Sequence, residues 1–67
     1  MDYEALGKKI RRKRREMDIT QEQLAEMAGI STAFVGHIER GTRVLSVETL
    51  ERICKALGVS ADYLIGI

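Results

Sequence analysis

Apolar residues recur at helical spacing in two parts of the chain. Near the N-terminus, Leu6, Ile10 and Met17 lie on one stripe, which predicts a first helix from about residue 2 to residue 16. Farther along, Ser46 can cap the start of a longer segment and Gly58 can end it in the left-handed conformation. That segment carries four apolar residues on one side, namely Leu50, Ile53, Cys54 and Leu57. Both helices are therefore expected to bury their apolar side.

Capping residues predict two shorter helices between these segments. Thr20, followed three residues later by a glutamine, matches a capping box, and Gly29 ends a second helix of about nine residues. Ser31 can cap the next run, from Thr32 to Arg40, which Gly41 ends. The connection between the two helices is too short for the chain to reverse, so we expect them to cross at a steep angle.

The C-terminal part of the chain predicts one more element. Ser60 can cap a last short helix over residues 61–65, so five helices joined by tight turns fill the 67 residues. The composition agrees with helices throughout, because proline and tryptophan are absent and aromatic residues make up only 4% of the chain. We therefore expect an all-α fold and a single domain over residues 1–67. The apolar residues at the end could complete the core or form a dimer seam: Leu64, Ile65 and Ile67.

A steep crossing of the second and third helices requires small residues where they meet. Ala25 and Gly29 supply them, because a branched side chain at position 25 would clash with the third helix and glycine tolerates the positive φ of the turn. The segment from Thr20 to Gly41, TQEQLAEMAGISTAFVGHIERG, resembles the phage repressor and Cro proteins and the wider XRE family of regulators. The resemblance extends to LGKKIRRKR before it and SVETLERICKALGVSADYLI after it. It implies a compact five-helix, lambda-repressor-like domain whose helix-turn-helix reads operator DNA.

A helical wheel separates two sides of the third helix. Val35 and Ile38 fall on the side expected to be buried, and Phe34 falls on the border, where it could seal the core or lean on a thymine methyl or a sugar. The opposite side is small and polar, and it carries Thr32, Ala33, Gly36, His37 and Arg40. Such side chains can enter a major groove. The resemblance implies base contacts for the first four, among which His37 could donate to guanine or to a phosphate. Arg40 is the candidate for a two-bond contact with guanine.

Positive charge is concentrated although the net charge is only +1: seven of the 11 Lys and Arg residues fall within positions 8–15. Such runs are most often solvated faces, but beside a helix-turn-helix this one predicts phosphate contacts. Gln21 matches the glutamine with which the family binds a phosphate. We expect further phosphate contacts from Arg11, Arg14, Arg15, Ser31, Thr42 and Arg43. The resemblance also pairs Arg14 with Glu39, in an ion pair that orients the third helix and leaves guanidinium donors for a phosphate.

Several other classes of protein are disfavoured. A single cysteine and a single histidine, far apart in the chain, predict no internal disulfide and no metal site, and Cys54 is expected to be a small core residue. No nucleophile stands beside a base that a third group could orient, so we expect no enzyme and no cofactor. No apolar run approaches the roughly 20 residues of a membrane span, so a cytoplasmic location is expected.

These patterns predict a sequence-specific regulator that binds double-stranded DNA. We expect it to act as a repressor and to bind as a homodimer to two half-sites about one helical turn, ~34 Å, apart. The alternative is a protein-interaction module on the same fold, such as the antitoxin of a toxin–antitoxin pair or an adaptor, because a fold does not determine its partner.

Overall fold

A computed structural model describes residues 1–66, which form five helices and no strand. The helices are α1 (Tyr3–Glu16), α2 (Gln21–Ala28), α3 (Thr32–Arg40), α4 (Val47–Leu57) and α5 (Ala61–Ile65). The all-α prediction is therefore confirmed. The first helix differs slightly from its expected start, because Asp2 is its N-cap and accepts a hydrogen bond at Oδ1 from the backbone N–H of Ala5 at 3.0 Å.

The predicted caps are present at the other four helices. Thr20 forms a complete capping box: its Oγ1 accepts from the N–H of Gln23 at 3.0 Å, and its own N–H donates to Oε1 of Gln23 at 2.8 Å. Ser31, Ser46 and Ser60 each accept from the backbone N–H three residues later, at 3.1 Å in every case. Each cap contributes about 1 kcal/mol to helix stability. Polar residues at the helix starts thus determine where this chain turns.

All five helices contribute to one apolar core. The most deeply buried large side chains are Ile10, Leu24, Val35, Ile53, Leu57 and Leu64. Cys54 is buried with them as predicted, and burial, followed by the nearby negative charge of Glu51, raises the pKa of its thiol. Met17 differs from expectation, because it lies at the C-cap of α1 and is exposed rather than part of the apolar stripe.

The turn between α2 and α3 has the predicted composition. Gly29 adopts φ +70°, and the N–H of Ile30 donates to the carbonyl of Ala25 at 3.0 Å. Ala25 is buried in the core, and α2 packs directly on α3. Ala25 is therefore buried where the helices pack, whereas Gly29 is exposed and is required for its positive φ rather than for a close approach.

Two other glycines bring α1 against α3, namely Gly7, which no sequence pattern singles out, and Gly41, which is predicted only to end the third helix. A Cβ atom at Gly7 would overlap the carbonyl oxygen of Ile38 and lie 2.6 Å from that of Glu39. At Gly41, where φ is +73°, a Cβ atom would lie 2.6 Å from Cα of Glu4. Because the neighbouring atoms belong to the backbone, the backbones of α1 and α3 can approach this closely only with glycine at both positions.

The C-terminal helix completes the core through Leu64, while Ile65 is half-buried against it. Lys9 of α1 reaches α5, where Nζ donates to the carbonyl of Tyr63 at 3.2 Å and lies 5.8 Å from the centre of its ring. Ile67, predicted with Leu64 and Ile65 to complete the core or form a dimer seam, lies outside the described residues. Among residues 1–66, no helix is both long enough and apolar enough to cross a membrane.

Candidate nucleic-acid interface

The two sides of α3 have the environments that its wheel predicts, with one exception. Val35 and Ile38 are buried in the core. On the opposite side, Thr32, Ala33 and Arg40 are exposed and His37 is half-buried. We call these four residues, Thr32, Ala33, His37 and Arg40, the outward face of α3.

Gly36 is the exception, because it is buried rather than open to a ligand. The guanidinium of Arg40, one turn farther along α3, lies across it: a Cβ atom at Gly36 would be 3.1 Å from Nη1 of Arg40. Without a side chain at position 36, the long side chain four residues later can lie flat on the helix. Because the exposed side chain of Arg40 covers this part of the surface, the predicted approach of the Gly36 backbone to a base requires that side chain to move aside.

Phe34 lies at the edge of the outward face. It is half-buried and packs against the core, which favours the first of its two predicted roles. Its neighbour Ser31 uses Oγ as an acceptor for the N–H of Phe34, and the Ser31 side chain remains exposed at the start of α3.

A polar junction of Arg14, Gln21 and Glu39 connects α1, α2 and α3. The carboxylate of Glu39 accepts from Nε of Arg14 at 2.7 Å and from Nη2 of Arg14 at 3.1 Å. Nε2 of Gln21 donates to the same carboxylate at 3.0 Å. The predicted ion pair between Arg14 and Glu39 is therefore confirmed, in the two-bond geometry that makes such pairs strong.

The phosphate contact predicted for Arg14 is disfavoured by its surroundings. Arg14 is only 9% exposed, and its Nη1 donates to the carbonyl of Ile19 at 2.9 Å, in the loop between α1 and α2. Its guanidinium is thus bonded on all three nitrogens and buried inside the protein. Gln21 also has an internal partner, Glu39, which is not predicted from the sequence. The Gln21 side chain is half-buried at the start of α2.

Four of the cations of α1 lie on one flank of the molecule. Lys8, Arg11, Arg12 and Arg15 line a shallow open cleft together with Glu16. Gly7 contacts α3 and Lys9 contacts α5, so these two helices lie on different sides of α1. At about 100° per residue around the helix axis, Arg11 lies only ~40° from Gly7 and Arg15 lies ~80° from it. Both residues are therefore on the side of α1 that faces α3.

The loop after α3 adds polar groups near the outward face. Thr42 and Arg43 are both exposed. Oγ1 of Thr42 lies 2.9 Å from Nδ1 of His37 and 3.2 Å from the carbonyl oxygen of His37. From the sequence Thr42 is expected only to contact a phosphate, and this bond to His37 is not predicted.

Comparisons with known proteins agree with this geometry. The family model described as helix-turn-helix matches residues 10–64. An uncharacterized HTH-type transcriptional regulator from Mycobacterium tuberculosis is 41% identical over 58 residues, which are 87% of this chain and 41% of that protein. The chain spans about two fifths of the length of this and other curated relatives, 41% or 42% in three cases.

Solved structures show the same fold. The restriction-modification controller protein C.AhdI from Aeromonas hydrophila is 30% identical with a TM-score of 0.91, covering 94% of this chain and 96% of that one. The P22 c2 repressor protein, solved in complex with a synthetic operator, is 36% identical with a TM-score of 0.84, covering 88% of this chain and 89% of that one. The fold is therefore that of the phage-repressor class of helix-turn-helix domains. This chain belongs to the helix-turn-helix family, which confirms the resemblance drawn from its sequence.

Proposed function

We propose that this chain is the DNA-binding part of a sequence-specific transcriptional regulator, and that it inserts α3 into the major groove. The observation that carries the proposal is the outward face of α3, whose Thr32, Ala33, His37 and Arg40 side chains are available to a ligand. A major groove about 12 Å wide admits an α-helix, and its base edges present donors, acceptors and thymine methyls. A hydroxyl, a methyl, an imidazole and a guanidinium can contact all of these groups.

Affinity comes in this proposal from groups that surround the outward face. Gln21 and the free backbone N–H groups at the start of α2 bind one phosphate, since a helix N-terminus attracts anions. The remaining phosphate contacts are assigned to Arg11, Arg15, Ser31, Thr42 and Arg43, all of which are exposed. Arg14 acts indirectly, by holding Glu39 and with it the orientation of α3.

The regulator is proposed to repress transcription as a homodimer on two half-sites ~34 Å apart. Repression is supported by the names of relatives, which include the immunity repressor protein of Bacillus phage phi105 and repressor protein C2 of Salmonella phage P22. The proposal treats residues 1–67 as one domain that works in the cytoplasm without a cofactor and without catalysis.

Selection of bound sequences from random duplexes tests this function. We expect one motif with two related half-sites to be enriched, and the mass of the complex to correspond to two chains per duplex. The affinity for that motif should fall linearly with salt on logarithmic axes, since the cations release counterions from the phosphates. Salt-dependent binding without any preferred sequence would contradict the proposed regulator, and no binding at low salt would favour an adaptor or antitoxin.

A further inference from the structure

His37 and Thr42 form a closed hydrogen-bonded arrangement at the end of α3. Nδ1 of His37 lies 2.9 Å from Oγ1 of Thr42, and the same Oγ1 lies 3.2 Å from the carbonyl oxygen of His37. That carbonyl also accepts from the backbone N–H of Thr42 at 3.0 Å. A threonine hydroxyl carries one hydrogen and a neutral imidazole carries one ring N–H, so the protons in this arrangement can be counted.

Two placements of these protons are possible, and they differ in how many contacts become hydrogen bonds. If Nδ1 of His37 carries the proton, it donates to Thr42 Oγ1, and the hydroxyl donates to the carbonyl of His37. If the hydroxyl instead donates to a bare Nδ1, the hydroxyl and carbonyl oxygens face each other at 3.2 Å without a proton between them. The first placement satisfies both contacts. The first placement also directs two donors, Nδ1–H of His37 and the hydroxyl of Thr42, toward the C-terminal end of α3, where the helix dipole is negative.

The other ring nitrogen of His37, Nε2, is not buried. Within residues 1–66 no hydrogen bond involves Nε2, and no buried side-chain nitrogen or oxygen lacks a partner. We propose that Thr42 fixes His37 in the tautomer protonated at Nδ1, so that the neutral ring presents Nε2 as an acceptor for an exocyclic amino group in the major groove. This inference rests on the proposed function.

The proposal gives His37 a definite preference among bases. In the major groove only adenine N6 and cytosine N4 carry amino donors, whereas guanine N7 and O6 and thymine O4 are acceptors. A bare Nε2 attracts the first two and repels the others. From the sequence His37 is expected to donate a hydrogen bond to guanine or to a phosphate. In this proposal its Nε2 instead accepts one from a base amino group. Thr42 becomes a positioning residue for base recognition. Because its hydroxyl hydrogen and its backbone N–H are both directed to the carbonyl of His37, this role replaces the phosphate contact assigned to Thr42 above.

The tautomer can be measured without DNA. The chain has a single histidine, so a spectrum that correlates imidazole nitrogens with ring protons contains one set of signals. At pH about 8, where an imidazole is ordinarily neutral, we expect the pattern of a ring protonated at Nδ1. Thr42→Val, which keeps the shape and removes the hydroxyl, should shift the ring toward the other tautomer, and Thr42→Ser should retain it. A wild-type ring protonated at Nε2 would overturn the proposal.

Base analogues then test the recognition step at the same pH. In a selected duplex, the adenine or cytosine nearest His37 is replaced by purine or 2-pyrimidinone, which lack only the amino group. We expect about a tenfold loss of wild-type affinity, the size of a good base contact. His37→Ala should bind both duplexes alike. Thr42→Val should lose most of the preference, whereas Thr42→Ser should keep it.

The outcomes separate this inference from the proposed function. A chain that binds its selected duplex but is indifferent to removal of the amino group overturns the role of His37 alone. A chain that binds no duplex overturns the proposed function and the base recognition with it. Circular dichroism of each variant at the assay temperature verifies that the chain remains folded.

Discussion

Arg14 and Arg40 belong to helices that pack against each other, yet their guanidinium groups have opposite surroundings. Arg14 is 9% exposed and bonds to Glu39 and to the carbonyl of Ile19. Arg40 is exposed and lies across Gly36 on the outward face of α3. Within residues 1–66, α3 is thus held by a polar junction at its buried side, while its outward face has no hydrogen-bonded side-chain partner apart from Thr42, which bonds His37.

The difference between the two regions has an energetic basis. Burying an ion pair costs desolvation energy that the pair recovers only when its hydrogen-bonding groups are satisfied. In the polar junction Glu39 accepts three hydrogen bonds, and no buried side-chain nitrogen or oxygen in residues 1–66 lacks a partner. We infer that the junction fixes the position of α3 rather than adding much net stability, so that the outward face is presented in one orientation.

The largest expected effect comes from removing one member of the junction. Arg14→Met leaves the carboxylate of Glu39 buried beside an apolar side chain, which should lower the free energy of unfolding by roughly 3 kcal/mol. Arg52→Met is the matched control, because Arg52 pairs with Glu48 at 2.9 Å on the exposed surface of α4. Exposed pairs contribute about 0.5 kcal/mol. Urea denaturation of both variants measures the difference, and equal losses would contradict the distinction between buried and exposed pairs.

A second pair of substitutions tests the two glycines that contact α3 or lie within it. Gly7→Ala places a methyl group against the backbone of α3, and overpacking of this kind costs about 1–3 kcal/mol. Gly36→Ala meets only the flexible end of Arg40, so the better helix propensity should raise stability by up to about 1 kcal/mol. Thermal melting should therefore move in opposite directions for the two variants. A loss of stability in Gly36→Ala would show that the side chain of Arg40 cannot move away from the added methyl group.

Substitutions in the interface should separate recognition from affinity. Thr32→Ala and His37→Ala remove groups of the outward face, so each should relax the preference at one base pair by about 1 kcal/mol, the lower end for a base contact. Gln21→Ala removes a phosphate ligand but leaves the two-bond pair of Arg14 with Glu39 in place, so it should weaken binding to all sequences alike. Competition binding against a library with a randomised half-site distinguishes these patterns. Altered base preference in Gln21→Ala, with none in Thr32→Ala, would reverse the assignment.

The smallest effect concerns Cys54, which lies in the core away from both regions. Burial raises the pKa of its thiol, so above the ordinary thiol pKa of about 8.5 the unfolded chain ionises while the folded chain stays protonated. The unfolded state then binds fewer protons, and stability should fall as the pH rises through this range. Denaturation from pH 8 to pH 10 should show a steeper decline for the wild type than for Cys54→Ala. Parallel declines would exclude a contribution from this thiol.

Local signals make the helices of this protein predictable from its sequence. A capping serine or threonine and the glycine that ends a helix are close in the chain, and the structure confirms the caps at Thr20, Ser31, Ser46 and Ser60. The helical wheel also predicts the buried and exposed sides of α3, because it depends only on residues within one short segment. The Arg14–Glu39 pair, in contrast, is predicted only through the resemblance to a family, because its partners lie 25 residues apart.

The features that the sequence does not reveal depend on contacts between distant segments or on side-chain conformation. Gly7 is essential only because Ile38 and Glu39 of α3 come to lie against it. A wheel shows Gly36 on the outward side but does not show that Arg40 folds back over it. Likewise, nothing in the sequence indicates that the carbonyl of Ile19 accepts a hydrogen bond from Nη1 of Arg14 or that Thr42 bonds His37. These contacts decide which of the predicted residues remain available to DNA.

The most direct test maps the binding surface residue by residue. Isotope-labelled protein is titrated with its selected duplex, and the backbone amide signals are followed by NMR. We predict the largest changes at residues 32–37 of α3, at Gln21 and in the loop at 42–43, with little change on the exposed side of α4 at Glu48, Glu51 and Lys55. Changes confined to α4 and α5, with the signals of α3 unmoved, would contradict the proposal that α3 carries recognition.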